Sequence, residues 1–143
     1  NCKGVFKGIL NRATILSRNR QAGEERYLMS GEDLANIGPI ANHQDLVVQA
    51  ALGIQSVERN GHHYFKGLSI FNQSLQNDTV EHFPKLYTND ENGYVRLNIQ
   101  AGALELEELT SQAFGVSSSL LEETINKTNL APSNSIGAQA SCL

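Results

Sequence analysis

Residues that could move protons or hold cations collect at points where short strands are expected to end. Lys3 stands at the first such point, Glu32 and Asp33 at the second, and Glu58 at the third. A group of polar residues follows Glu58 in the sequence: Arg59, Asn60, His62 and His63. The carboxyl ends of parallel strands share one edge of a sheet, where α/β proteins place their active sites. The sequence therefore predicts that a lysine, carboxylates and imidazoles converge on one rim.

Each residue type has a chemical role and a plainer alternative. A lysine among cations or in a dry site becomes a base near neutral pH, and carboxylates could tune its charge or bind a hard cation. From its position alone, Lys3 is equally well explained as a helix-entry residue whose ammonium group lies in solvent. Asp33 is better explained as a carboxylate that caps the following helix. On an extended chain, at most one of His62 and His63 faces a pocket. For either histidine, a structural hydrogen bond is the commoner use, and Tyr64 and Phe65 are expected to pack.

The first element that must position these residues is a helix over residues 5–21, which ends near Gly23. Spacings of three and four place six apolar residues on one of its faces: Val5, Phe6, Ile9, Leu10, Ala13 and Leu16. Lys7, Arg18 and Arg20 are expected to be solvated. The segment RYLMS (26–30) then predicts a short strand buried on both faces.

A second helix is predicted from Pro39, which suits a first helical position, to Gly53, which suits a helix end. Within it His43 is expected to be buried and structural. The segment IQSVE (54–58) is the next strand. The order helix, strand, helix, strand favours βαβ units and a parallel sheet. The first helix has no strand before it, so Asn1-Cys2-Lys3 is interpreted as the exit of a strand that precedes this chain.

The pattern changes beyond residue 58. A helix is predicted around 74–83, with Pro84 as its break, and the cluster NDENG (89–93) is a turn. Apolar and polar residues alternate on both sides of Ala101-Gly102, which indicates a hairpin or two extended arms. Residues 117–143 have weak periodicity and are expected to be weakly structured.

Composition excludes several classes of protein. A net charge of −4 and a pI near 5.5 argue against nucleic-acid binding, which needs a basic patch. No apolar stretch approaches the roughly 20 residues of a membrane helix. Cys2 and Cys142 form no zinc or redox motif, and free thiols in a reducing, cytoplasmic compartment are the expectation. The glycines form neither a Walker loop nor the GxGxxG fingerprint, so a Rossmann-like domain is disfavoured.

Three blocks carry a resemblance to a known family. NCKGVFKGILNRA, LMSGEDLANIGPIANHQDLVVQAALGI and VERNGHHYFKGLS resemble the carboxyl-terminal part of enolase-superfamily proteins of the mandelate racemase and muconate lactonizing type. The resemblance runs in order over roughly residues 1–116. It implies an α/β fold class, with the chain contributing about strands six to eight of a TIM-type (β/α) barrel plus a carboxyl-terminal return arm.

The resemblance also implies an organisation. Residues 1–83 would form the last βα units of the barrel, residues 84–116 a return arm with an extended or hairpin segment, and residues 117–143 the tail. A complete barrel takes ~250 residues. The chain is therefore interpreted as the last third of a larger protein.

The activity implied is Mg²⁺-dependent abstraction of a proton next to a carboxylate, as in racemases, cycloisomerases and dehydratases. In this interpretation Lys3, at the end of the sixth strand, is an acid/base, and Glu58 and His62 are its catalytic neighbours. Glu32, Arg59, Asn60 and His63 would bind a small carboxylate substrate. The family's metal ligands lie on earlier strands, so the chain is expected to hold no Mg²⁺ ligand and to be inactive alone. The parent enzyme would be a cytoplasmic homo-oligomer.

A different class of function fits the same elements. A truncated parallel sheet exposes an edge that can pair with another chain. The chain could thus be a non-catalytic interaction module or a subunit-like fragment, binding neither nucleic acid nor membrane.

Overall fold

A computed structural model of the 143-residue chain describes residues 4–32, 36–58, 61–112, 115 and 122. In these residues the fold mixes helices with two small two-stranded sheets, one parallel and one antiparallel. No helix in the described part is long and apolar enough to cross a bilayer.

The first helix, α1, spans Val5–Ala22, and its predicted position is confirmed. Gly23 ends it in the left-handed conformation, with its N–H donating to the carbonyl of Arg20. The apolar face that the spacing predicted is exposed. Phe6 is 86% exposed and Leu10 62%, while the buried residue within 5–22 is Gly8. The less exposed residues of the helix lie on its other side: Gly8 is buried, and Arg12, Ile15 and Asn19 are half-buried.

The parallel sheet confirms the predicted alternation of helix and strand. Strand β1 (Ser30–Gly31) pairs in parallel with β2 (Ser56–Val57). Both strands are shorter than predicted, and residues 26–29 do not join the sheet. Leu28 is 76% exposed, so the prediction of a strand buried on both faces is wrong. Two residues per strand leave too little sheet to be covered by layers on both sides.

Between the strands lies α2 (Pro39–Ala51), which has proline at its first turn as predicted. Its buried face carries Asn42, His43, Asp45, Leu46 and Gln49. The burial of His43 is thereby confirmed. With Pro39 and Val48, seven residues of α2 are buried, and four of them are polar, which distinguishes α2 from an ordinary apolar core helix.

The second half of the described chain is built around an antiparallel hairpin. The short helix α3 (Gly61–Tyr64) follows β2, and α4 spans Gln73–His82. Strands β3 (Tyr87–Asn89) and β4 (Val95–Leu97) pair across the predicted NDENG turn. In that turn the Asp90 carboxylate accepts the backbone N–H groups of Asn92 and Tyr94 at 2.9 Å each. The helix α5 (Glu107–Thr110) closes this part.

The hairpin or pair of extended arms predicted around Ala101-Gly102 is reduced, in the described residues, to one bridge. Gln100 and Ala103 pair around Ala101-Gly102, and both turn residues have positive φ, at 49° and 79°. Tyr64 and Phe65 do not pack as predicted, since they are 73% and 45% exposed. Residues 61–64 form a helical turn rather than an extended chain, so the alternation expected of His62 and His63 does not apply.

The hydrophobic core lies under the hairpin, not under the parallel sheet. Its most deeply buried members are Leu68, Leu86, Tyr87, Val95 and Leu109. The cluster runs from Ile37 to Leu109 and so draws residues from both sides of position 83, where the last barrel unit is predicted to end. The hairpin, α2, α4 and α5 therefore share one core, to which α1 contributes no buried apolar side chain.

Helix α4 depends on a side-chain cap at Asn72. The Asn72 side-chain oxygen accepts the backbone N–H of Leu75 at 2.9 Å, which satisfies a group that the helix cannot pair internally. We expect Asn72→Ala to lower the free energy of unfolding by about 1 kcal/mol. Asn77→Ala, an exposed change within the same helix, is the control and should stay within about 0.5 kcal/mol of the parent. Urea unfolding measures both, and equal effects would refute the capping role.

Candidate functional site

The carboxyl edge of the parallel sheet brings two of the predicted site residues together. Ser30 pairs with Ser56 and Gly31 with Val57, and the N–H of Glu58 donates to the carbonyl of Gly31 at 3.0 Å. Continuing this register by one residue sets Glu32 beside Glu58, on two neighbouring segments that lie roughly 4.8 Å apart. Both residues are exposed. The edge therefore presents two carboxylates at one level to solvent.

A buried polar pair supports this edge from α2. The Gln49 amide donates to the Asp45 carboxylate at 2.8 Å, and both side chains are buried. Gly31 packs on Gln49 so closely that a Cβ at residue 31 would lie 3.1 Å from Nε2 of Gln49. Glycine at this position thus lets α2 approach β1. Asp45 and Gln49 were not predicted as site residues from the sequence, where the visible signal is their spacing of four positions on a predicted helix.

The other predicted residues of the rim divide into two groups. Lys3, Asp33, Arg59, Asn60 and the side chain of His63 lie outside the described residues. His62 is described and is buried, with 6% of its surface exposed. It therefore contributes to the interior rather than to the exposed edge that carries Glu32 and Glu58.

His62 links two parts of the core through backbone groups. One ring nitrogen, Nε2, lies 3.1 Å from the carbonyl oxygen of Ile37, and the other, Nδ1, lies 3.3 Å from the backbone nitrogen of Leu97. A carbonyl only accepts and an N–H only donates, so the neutral ring carries its hydrogen on Nε2. Both nitrogens are engaged in this way. The geometry gives His62 a structural role between the segment that precedes α2 and the hairpin.

A second buried imidazole forms the centre of a polar cluster in the core. His43 has no exposed surface; its Nδ1 lies 2.9 Å from the Gly115 carbonyl oxygen and its Nε2 3.0 Å from the Tyr87 hydroxyl. The carbonyl requires hydrogen on Nδ1, so Nε2 accepts from Tyr87. The Asn42 amide donates to the same hydroxyl at 3.5 Å. The cluster is a satisfied network with His43 in one tautomer.

Burial lowers the pKa of His43 to about 4, chiefly because the charged ring would lose its solvation. The hydrogen bond to the Gly115 carbonyl opposes this shift, and the nearby His62 adds to it. His43 is therefore neutral throughout the physiological range. A neutral, fully hydrogen-bonded imidazole of this kind organises the core and is not a candidate proton-transfer group at the exposed edge.

The cavities around the hairpin do not contain the carboxylate edge. His62 and Arg96 line two clefts of about 310 and 340 Å³, and neither cleft is lined by Glu32 or Glu58. A third cavity, about 480 Å³, is more apolar and opens between α2, β2 and residues 99–106. The structure thus separates the histidine predicted as catalytic from the carboxylates predicted beside it.

The described residues do not fit a metal centre. Within them no group of three or more His, Cys, Asp or Glu side chains is placed to hold a metal ion. A dedicated Mg²⁺ site uses several oxygen ligands in near-octahedral geometry, and the edge presents two carboxylates. No Mg²⁺ ligand is assigned to this part of the chain.

Comparison with known proteins adds no assignment. No family model, curated protein or solved structure matches the chain.

Proposed function

We propose that the chain forms strands six to eight and the return arm of a (β/α)-barrel enzyme of the enolase superfamily. The enzyme would exchange the proton next to the carboxylate of a small substrate. The resemblance of the three quoted blocks motivates the family, and one structural observation supports it. That observation is the in-register parallel pairing of β1 and β2, which sets Glu32 beside Glu58 at the carboxyl edge. Barrel enzymes build their active sites at this edge.

Lys3 is the proposed acid/base. It stands two positions before Val5, the first residue of α1, and in a barrel that position is the carboxyl end of the strand before the helix. Two carboxylates on the same rim favour the charged form of a nearby lysine. In this arrangement the neutral amine of Lys3 takes the proton from the carbon next to the substrate carboxylate, and the bonding electrons pass to that carboxylate. The two glutamates stabilise the ammonium group so formed, which then returns a proton to the same carbon. Arg59 and Asn60, which follow Glu58, would hold the substrate carboxylate.

In the proposed mechanism Glu58 and Glu32 stabilise the charged lysine and contact polar groups of the substrate. His62 is not needed for proton transfer in the proposed mechanism, since its two nitrogens hold Ile37 and Leu97. No step is assigned to Mg²⁺, because the described residues do not fit a metal site. The proposal thus asks three things of this chain: a lysine that exchanges a proton, carboxylates that stabilise its charged form, and polar residues that orient the substrate.

The test is deuterium exchange in the full-length polypeptide that its gene encodes, supplied with Mg²⁺ and a panel of small 2-hydroxycarboxylates in D₂O. We expect Lys3→Ala to slow the exchange next to the carboxylate by at least ~10²-fold, the usual contribution of a general acid or base. Lys7→Ala, on exposed α1, is the matched control and should leave the rate unchanged. Proton NMR follows the exchange, and a full rate in Lys3→Ala would rule out this role.

A second candidate function is a non-catalytic interaction module. The observation in its favour is the exposed apolar face of α1 together with a parallel sheet that, in the described residues, has only two strands. Both features leave surface that a second chain could cover.

A further inference from the structure

Arg96 stands where two clefts of the hairpin adjoin. The clefts have volumes of about 310 and 340 Å³, and both are lined by Arg96 and by the buried His62. Alternation along β4 explains the position of Arg96, because it is exposed between Val95 and Leu97, which are buried in the core. The guanidinium group is therefore shared by two spaces, each at the lower end of the roughly 300–1,000 Å³ typical of small-molecule sites.

A second cation lines the larger of these clefts from a different segment of the chain. The ammonium group of Lys66 lies 5.7 Å from the centre of the Tyr94 ring, two positions before Arg96. Within the described residues, neither Lys66 nor Arg96 forms a salt bridge. Asp90 lines the same cleft, and one of its carboxylate oxygens, Oδ1, accepts the backbone N–H groups of Asn92 and Tyr94. Two cations beside one carboxylate leave this cleft with an excess of positive charge.

An unusual backbone conformation brings Lys66 next to β4. Lys66 has a φ of 54°, in the left-handed region that is unfavourable for a residue with a Cβ, and Gly67 follows with a φ of 61°. Gly67 lies so close to β4 that a Cβ there would be 3.0 Å from Cβ of Arg96. Just beyond a helix such as α3, this conformation usually belongs to glycine or asparagine. A lysine held in it beside a cleft points to a use for its charge.

We propose that the cleft between Lys66 and Arg96 binds the carboxylate or phosphate group of a small organic anion. Arg96 presents a planar fork of N–H donors that matches the oxygens of either group, and Lys66 adds a point charge from the other wall. The second cleft, beyond Arg96, is lined by hydrogen-bonding side chains of Thr88, Asn98 and Gln100. These side chains contact the polar body of the ligand. Arg96, which lines both clefts, is the principal contact.

This inference is independent of the enzymatic proposal. Neither cleft is lined by Glu32 or Glu58, so the anion bound here is held away from the carboxyl edge of the parallel sheet. His62 forms a wall of the site and not a reacting group, because its ring nitrogens are engaged by Ile37 and Leu97. The measured quantity is the affinity for an anion and not proton exchange, and either proposal can fail while the other stands.

The first experiment measures the binding of inorganic phosphate and of malonate to the full-length polypeptide by isothermal titration calorimetry. We expect at least one of these anions to bind, and we expect Arg96→Gln to weaken its binding by at least ~10-fold, as for loss of a charge-assisted hydrogen bond. Lys7→Gln removes an exposed cation that lines neither cleft, and it should bind like the parent. The anion that binds more tightly identifies the head group. Absence of binding by both anions at millimolar concentration, or full affinity in Arg96→Gln, would overturn the proposal.

The same titration of Lys3→Ala separates this site from the edge proposed for catalysis. We expect Lys3→Ala to keep the affinity of the parent, because the anion is held by Lys66 and Arg96. Binding that is lost in Lys3→Ala and kept in Arg96→Gln would place the anion at the carboxyl edge and overturn the inference. Arg96 is exposed, so Arg96→Gln is expected to leave the fold intact, which circular dichroism verifies.

The second experiment tests whether Lys66 serves the ligand or the fold. Lys66→Asn removes the charge and introduces a residue that tolerates the left-handed conformation. We expect its stability in urea to equal or exceed that of the parent, while its affinity for the anion falls by about threefold, as for one exposed charge pair. A structural role would give the opposite pattern. Lower stability with full affinity would therefore overturn the proposal that the two cations share the anion.

Discussion

Replacing Gly67 with alanine is expected to lower the free energy of unfolding by about 3 kcal/mol or more. Gly67 has a φ of 61°, a left-handed conformation that costs an L-residue roughly 1–2 kcal/mol. A Cβ there would overlap the carbonyl oxygen of Val95, which is backbone and cannot turn aside. That carbonyl accepts the N–H of Leu68 at 2.7 Å, so displacing it also weakens a buried hydrogen bond, worth about 1 kcal/mol.

Gly93→Ala is the matched control for this prediction. Gly93 also has a positive φ, at 79°, but nothing lies within 4 Å of the position of its Cβ. It should therefore cost only the conformational part, roughly 1–2 kcal/mol. Urea unfolding of both variants and the parent measures the difference. Equal losses of stability would show that the close contact between residue 67 and the Val95 carbonyl does not destabilise the alanine variant.

Acidification is expected to destabilise the fold between about pH 6.5 and pH 4 through His43. The folded protein holds this imidazole neutral down to a pKa of about 4, while the unfolded chain binds the proton near the ordinary value of 6.5. Below pH 6.5 the unfolded state thus binds more protons, and stability falls as the pH falls. The loss from this residue reaches about 3 kcal/mol near pH 4, since each pKa unit corresponds to about 1.4 kcal/mol.

The measurement is the free energy of unfolding in urea at a series of pH values from 7 to 4. His43→Gln should be less stable than the parent at pH 7, because it loses hydrogen bonds to Gly115 and Tyr87, but its stability should depend less on pH. His82→Gln is the control; His82 is exposed, and its variant should keep the slope of the parent. A slope unchanged in His43→Gln would assign the acid sensitivity to other groups.

Much of the local structure follows from the sequence. Gly23 and Pro39 mark helix ends that local physics alone decides, because the left-handed glycine and the missing proline N–H act within one turn. The alternation of helices with short apolar segments was enough to predict parallel pairing of the two strands, which the register of β1 and β2 confirms. It also places Glu32 and Glu58 at the same edge.

The burial of individual residues could not be read in this way. The apolar stripe of α1 and the run around Leu28 have the composition of core segments, yet both are exposed. A periodic pattern shows which residues would share a face but not whether another element is present to cover that face.

The polar interior was likewise decided by tertiary structure. The sequence alone determined the positions of the three longer helices, α1, α2 and α4, the parallel order of β1 and β2, the turn at NDENG and the two carboxylates of the edge. Only tertiary packing decided that Tyr87 and Gly115, which lie 44 and 72 residues from His43, complete its hydrogen bonds, and that His62 joins the interior instead of the rim. The reason is that local patterns act over one or two turns of chain, whereas the partner of a buried polar group is chosen by contacts between distant segments.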